Sequence, residues 1–288
     1  ILSSSFILIV VGVIIVKGIT PFITNNDGLG RVDFFKFVTG NTWLIGEAFN
    51  SNLYSVGFII ISTLFIAFLS LLISFPIGVL TALFIAKIAP KKLAESLRTV
   101  TELLASIPSI IYGLFGAGLV LNFVYHLSAL IGYQSKGGNS ILASVIVLAI
   151  MTIPTITSIS EVAIRSVDKE IIHGSLALGA TPMQTNFKVV LAAAKSGIFT
   201  SAILGIGRVL GEATAVSLVA GGRRSGLSFN LLDTTSTLTT TMLEGMKETV
   251  GLDYDIRFSV GIILMIVILL TNLILNTIKK KVGHVHVK

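Results

Sequence analysis

Two charged residues stand four apart inside an apolar stretch of this chain, in "LGIGRVLGEATAV", Leu204 to Val216: Arg208 and Glu212. A charge at the middle of a membrane span costs between about 2.5 and 17 kcal/mol, so such residues face a bundle interior or an aqueous path. If the stretch is one helix, the i, i+4 spacing puts both on one face, where they can pair. One reading is an internal salt bridge that holds helices together. The other is an anion site, because guanidinium presents a planar fork of donors matched to tetrahedral oxyanions and stays charged at any working pH. Glu212 would then hold Arg208 between substrates, keeping anion binding weak enough to release. Gly207, Gly211 and Ala215 form a small-residue stripe beside this face, a pattern that admits another helix backbone.

The elements that must position these residues are membrane spans. Of the 288 residues, 53% are hydrophobic and 12% charged, about half the charged share of a soluble domain. The mean hydropathy is +0.93. The formal charge of +7 sits at the ends of apolar runs, which fits lipid headgroups rather than nucleic acid. There is no cysteine, hence no disulfide or thiol chemistry.

Runs long enough to cross a bilayer, about 20 residues each, predict six spans, at residues 1–19, 53–85, 103–131, 141–159, 198–220 and 258–278. The expected fold class is therefore all-α, a polytopic helical bundle forming one domain over 1–288. The opening run lacks the basic n-region and cleavage site of a signal peptide and reads as a first span, with a cytoplasmic stretch expected before it. Pro76 predicts a kink in the second span, and Pro108 with Gly113, Gly116 and Gly118 a break in the third. No internal repeat is evident.

One set of connections and ends holds Lys87, Lys91, Lys92, Arg98, Arg165, Lys169, Lys188, Lys195, Lys279, Lys280, Lys281 and Lys288. The other holds Lys17, Arg31, Lys36, Lys136, Arg223, Arg224, Lys247 and Arg257. The first is richer and lies closer to span ends, so it is expected in the cytoplasm, with both termini. The outer connection, 221–257, contains the threonine-rich "DTTSTLTTTM" and is expected to be polar and partly folded. The inner one, 161–197, predicts two amphipathic helices around a turn at Gly179 to Pro182, a shape suited to a partner's groove.

That inner segment resembles the cytoplasmic loop of ABC-importer permeases. In "HGSLALGATP", Gly174 and Ser175 match the small residues and Gly179 the glycine at the helix crossing, followed by Ala180, Thr181 and Pro182. His173 stands where that family carries glutamate, and Ala192 where it carries proline; Glu170, one turn earlier, is the candidate substitute for the acid. More widely, "FVTGNTW", "FPIGVLTALFIAKIAP", "ELLASIPSIIYGLFG" and "GIGRVLGEATAVSLVAG" are similar to phosphate-transport permeases, of the PstC rather than the PstA kind.

The resemblance implies a type I importer permease in a prokaryotic plasma membrane. It implies a second, PstA-like permease, a pair of ATPase subunits carrying ATP and Mg, and an extracytoplasmic phosphate-binding protein. It also implies Arg208 and Glu212 as substrate-path residues, and no cofactor on this chain itself.

Other features carry less. Ser106, Pro108 and Ser109 either line a cytoplasmic mouth or mark a plain helix break. His126 is expected at the interface. His284 and His286 read as a tail rather than a metal site. The chain has no Gly-Lys pair, so no P-loop, and neither a His-Glu-x-x-His nor a Gly-x-Ser-x-Gly motif, so no machinery for hydrolysis. A permease for sulfate or molybdate, and a secondary transporter or channel, remain alternatives.

Overall fold

The computed structural model describes residues 2–44 and 53–283; the histidines at 284 and 286 lie outside them. The chain is helical, with isolated bridges such as Thr42 to Ser225 and Gly221 to Thr235 but no sheet among the described residues. Helix α1 spans Leu2–Ile23 and α2 Phe34–Thr39. Helix α3 runs Gly57–Leu83 and α4 Lys91–Ser106; α5, Ser109–Phe115, continues through a widened turn into α6, Leu121–Leu130. Then come α7, Ile141–Arg165, α8, Lys169–Ala177, and α9, Pro182–Gln184. Another widened turn joins α9 to α10, Leu191–Gly211. Two short helices, α11, Thr214–Ser217, and α12, Leu238–Leu243, precede α13, Leu252–Gly283. Six stretches are long and apolar enough to cross a membrane: 5–23, 57–88, 109–130, 141–165, 182–211 and 252–281.

Several span boundaries differ from the sequence expectation, among them the end of the fourth span, which runs to Arg165 instead of stopping at 159. The third span starts at Ser109 because Pro108 disfavours a helical residue before it, and Ile107 is extended. Leu103 to Ser106 therefore belong to the amphipathic α4. Ser106 itself turns its hydroxyl back onto the Leu103 carbonyl at 2.7 Å. The fifth span begins far earlier, at Pro182, and its helix stops at Gly211 instead of continuing to Ala220. The sixth starts at Leu252, drawing Asp253, Asp255 and Arg257 into its first turns.

The chain divides into two compact units. The first comprises Ile1–Ile66, Gly113–Val145 and Leu210–Leu269. Its core gathers Phe37, Trp43, Tyr54, Val56, Phe58 and Ile59 with Leu238, Leu252, Ile256 and Val260. Gly40 of the "FVTGNTW" stretch is required here, since a Cβ would fall 2.2 Å from the Ser55 hydroxyl. Arg257 is buried, its Nε donating to the Asp253 carbonyl and its Nη1 to the carbonyls of Thr241 and Glu244. The threonine run is not a solvated loop. Thr237, Thr239, Thr240 and Thr241 are buried, each hydroxyl hydrogen-bonded, and Thr237 and Thr240 form the capping box that starts α12.

The second unit comprises Ala67–Tyr112, Ile146–Val209 and Leu270–Lys288. Its core joins Ala82 and Leu83 of α3 to Ile164 of α7 and to Val190, Ala194 and Ile198 along the fifth span. Glycines set these approaches: a Cβ at Gly197 would lie 2.4 Å from Ala163, and one at Gly78 2.7 Å from Ile156. Helix α4 is fastened to α7 by Glu161, whose nearly buried carboxylate accepts from Arg98 at 2.7 and 3.0 Å and from Arg165 at 2.7 Å.

Candidate functional site

Helices α7 and α10 come together through small and hydroxyl residues. Ser160 donates to Ser201 at 2.8 Å, and a Cβ at Gly205 would sit 3.2 Å from Ile156 and Thr152. This close approach carries Arg208 to Thr155 on α7. The guanidinium Nη1 donates to Thr155 Oγ1 at 2.5 Å. Arg208 is half-buried, and among the described residues no carboxylate lies within ion-pairing distance of it. A guanidinium anchored by one neutral hydroxyl keeps its full charge and its remaining N–H donors.

Within the first unit, the chain leaves the helix directly after Gly211. Glu212 and Ala213 are non-helical, and one turn re-forms as α11. Such an interruption leaves backbone groups unpaired inside an apolar segment, and they must be met locally. Glu212 Oε1 accepts the Ala215 N–H at 2.9 Å, and the Glu212 carbonyl accepts the Thr239 hydroxyl at 2.7 Å. The expectation of one helical face shared by Arg208 and Glu212 therefore does not hold. The i, i+4 rule applies only along a continuous helix, and each residue has its own partner: Thr155 for the arginine, the start of α11 for the glutamate.

The small-residue stripe is divided for the same reason. Among the described residues, the helix's own backbone aside, nothing lies within 4 Å of a Cβ built on Gly207 or Gly211, so both are open there. Ala215 is fully buried; it faces Gly113, whose added Cβ would fall 2.9 Å from the Ala215 Cα.

The loop region from Lys169 to Gln184 is built by capping. Asp168 caps α8 through the Glu170 N–H at 3.0 Å. At its other end Gly179, at φ +83°, permits the paired closing bonds from Gly179 to Leu176 and from Ala180 to Ser175. Thr181 and Gln184 cap α9 reciprocally around Pro182. Ser175 and Thr185 hydroxyls meet at 2.9 Å across the turn. Glu170, His173 and Gly174 are exposed, as are the apolar Ile171, Leu178, Met183 and Phe187. Helix α8 buries none of its residues.

Thr155, Thr239 and Glu161 were missed in the sequence. Thr155 follows Pro154 in a run that also holds Thr152, Thr157 and Ser158, so nothing singles it out, and Glu161 falls in the expected inner connection, two residues beyond the expected end of the fourth span. A carboxylate in the last turns of a long helix, one turn before Arg165, was the available signal.

Residues 74–283 match the family described as "Binding-protein-dependent transport system inner membrane component". The chain is 35% identical over 269 residues to the probable ABC transporter permease protein YqgH of Bacillus subtilis, covering 92% of this chain and 82% of that one. It is 30% identical to the probable phosphate transport system permease protein PstC of Methanocaldococcus jannaschii, covering 83% and 79%. Among solved structures, the bacterial alginate ABC transporter in complex with its alginate-bound periplasmic protein matches at TM-score 0.63 and 18% identity, over 99% of this chain and 96% of that one. The MetNI methionine ABC transporter in an inward-facing form matches at TM-score 0.57 and 22% identity, over 79% and 94%. At those identities the structures speak for the fold, a type I importer permease; the sequence relatives speak for kinship. On the family match and the sequence relatives the chain belongs to the family of inner-membrane components of binding-protein-dependent transport systems, as an ABC-importer permease similar to PstC subunits.

Proposed function

We propose that this permease carries inorganic phosphate and forms half of an ATP-driven translocation path. The observation that carries the reading is Arg208: a cation in a membrane span, held by Thr155 and left without a carboxylate among the described residues. An uncompensated guanidinium in such a place is matched to a substrate that brings the negative charge. Curated relatives named as phosphate permeases support the choice of phosphate.

Glu212 is the second residue of the path. It sits on the non-helical joint after Gly211, where a small backbone rotation exchanges the Ala215 N–H for another donor and lets the carboxylate compete with phosphate. Gly207 and Gly211, open in this chain, receive a helix of the companion permease, a PstA-like subunit. The ATPase pair, which carries ATP and Mg, docks on Glu170 to Pro182 through the exposed Ile171 and Leu178, with Met183 beside them. Closure of the ATPases pulls α8 and α9, which run directly into the span bearing Arg208. This chain itself binds no cofactor. Both termini lie in the cytoplasm of a prokaryotic cell, and an extracytoplasmic binding protein delivers phosphate to the opposite face.

The test is ATP-dependent uptake in proteoliposomes holding both permeases, the ATPases and the binding protein. Arg208→Gln is expected to abolish phosphate uptake without loss of assembly; uptake at the wild-type rate would refute the role. In the unaltered complex phosphate should stimulate ATP hydrolysis far more than sulfate or molybdate, and equal stimulation would replace phosphate with a broader oxyanion class.

A further inference from the structure

We infer a second anion site in the first compact unit, formed by Lys136, Arg223 and Arg224 around the Gly221–Gly222 turn; it rests on the phosphate-import reading above. The cavity there, about 490 Å³, is lined by those three cations with Gly221, Gly222, Ser225 and Thr234, and by no acid.

Its frame is fixed while two of its charges are not. The segment carrying Lys136 is tied to the one carrying the arginines by Ser140 N–H to Val219 O at 3.1 Å and Ile141 N–H to Asp233 O at 2.9 Å. Gly221, at φ +85°, has no room for a side chain: a Cβ would fall 2.7 Å from Thr234 and 2.8 Å from Asn139. Arg223 is locked, donating to the carbonyls of Ser225 and Gly226 and pairing with Asp233 at 3.2 Å. Asp233 also accepts from Ser228 and Tyr133, so its charge is spent on the frame. Lys136 and Arg224 are exposed, and neither has a carboxylate within ion-pairing distance among the described residues. The Arg224 backbone is nonetheless held, its carbonyl accepting from Trp43 at 2.8 Å. Two further acids lie across the glycines: Glu244, whose carboxylate would be 3.5 Å from a Cβ on Gly222, and Glu248, both lining an adjacent cavity with Arg224.

These cations belong to the connections on the side that the lysine and arginine distribution assigns to the exterior, so orienting the chain in the membrane does not account for them. A fixed concavity with uncompensated positive charge raises the local concentration of anions. The site would take a hydrated inorganic oxyanion on release from the binding protein and hold it weakly at the entrance.

The absence of cysteine makes the test direct, because Ser225→Cys places a single thiol of this chain in the cavity. The assembled complex, without binding protein, is labelled with anionic and cationic methanethiosulfonates of similar size. The anionic reagent should react at least about tenfold faster, and millimolar phosphate should protect the thiol. Adding Lys136→Gln and Arg224→Gln should abolish both effects, whereas Arg208→Gln should leave both intact while stopping uptake. Equal labelling rates, protection that survives the double substitution, or equal protection by chloride at matched ionic strength would each overturn the site. Intact protection together with wild-type uptake by Arg208→Gln would instead refute the Arg208 path and leave this site standing.

Discussion

Arg208 on α10 donates to Thr155 on α7 at 2.5 Å, at a crossing made possible by Gly205 and the Ser160–Ser201 contact. The cation is thus aimed by a neutral group. A carboxylate in the same place would aim it equally well but cancel the charge that an anion needs.

Thr155→Val keeps the side-chain shape and removes the acceptor. A hydrogen bond to a charged group contributes about 1.5–3 kcal/mol, with the lower end expected for a half-buried arginine that water can reach. Phosphate uptake at sub-saturating concentration should fall roughly tenfold, and Thr155→Ser should restore it. Unchanged uptake kinetics for the valine variant would show that Thr155 does not position Arg208.

The glycines of α10 should divide into two classes. Gly205→Leu forces a side chain into Ile156 and Thr152 and should destabilise the subunit by about 1–3 kcal/mol. Gly207→Ala meets nothing within 4 Å and replaces the poorest non-proline helix former, so the isolated subunit in detergent should melt at the same or a higher temperature. Co-purification of the companion permease should drop for larger residues at Gly207. Equal melting temperatures for the Gly205 and Gly207 variants would contradict the packing.

Removing the Glu161 carboxylate should loosen α4. Both arginines are more than a third exposed and can rehydrate, so Glu161→Ala should cost only about 1–2 kcal/mol. The sharper readout is limited trypsin digestion, in which cleavage after Lys91, Lys92 and Arg98 should accelerate in the variant. Unaltered cleavage would mean that α4 is held by its apolar contacts alone.

Acid should act on Asp233. Hydrogen bonds from Ser228 and Tyr133, with Arg223 beside it, hold its carboxyl below the usual aspartate range. A depressed folded-state value contributes stability above the unfolded value, about 3.9, that is lost as pH falls through the folded one. The melting temperature of wild type should therefore gain nothing from this group between pH 5 and 8 and decline below about pH 4. Asp233→Asn should be less stable at neutral pH and should lose that part of the acid dependence; an acid limb identical to wild type would exclude Asp233.

Much of the fold was legible in the chain because its strongest signals are local. An apolar run of about 20 residues reports a span from composition alone, and the Gly179 to Pro182 turn carries its own caps. The boundaries that moved were decided by neighbours. Gly211 ends α10 although the sequence stays apolar to Ala220, because Thr239 and the Glu212 carboxylate supply partners for the backbone groups that the break exposes. Without those partners, continuing the helix would be the cheaper course in lipid.

By itself the sequence determined a six-span, all-α membrane protein with a rare arginine and glutamate in its fifth apolar segment and a capped helical loop before it. These follow from hydropathy, length and nearest-neighbour chemistry, which need no partner distant in the chain. Only the tertiary structure decided that Arg208 answers to Thr155 and not to Glu212, that the threonine run is buried, and that Glu161 reaches Arg98 on another helix. Each of those depends on which segments pack together, and a hydrogen bond across fifty residues leaves no period in the sequence from which to read it.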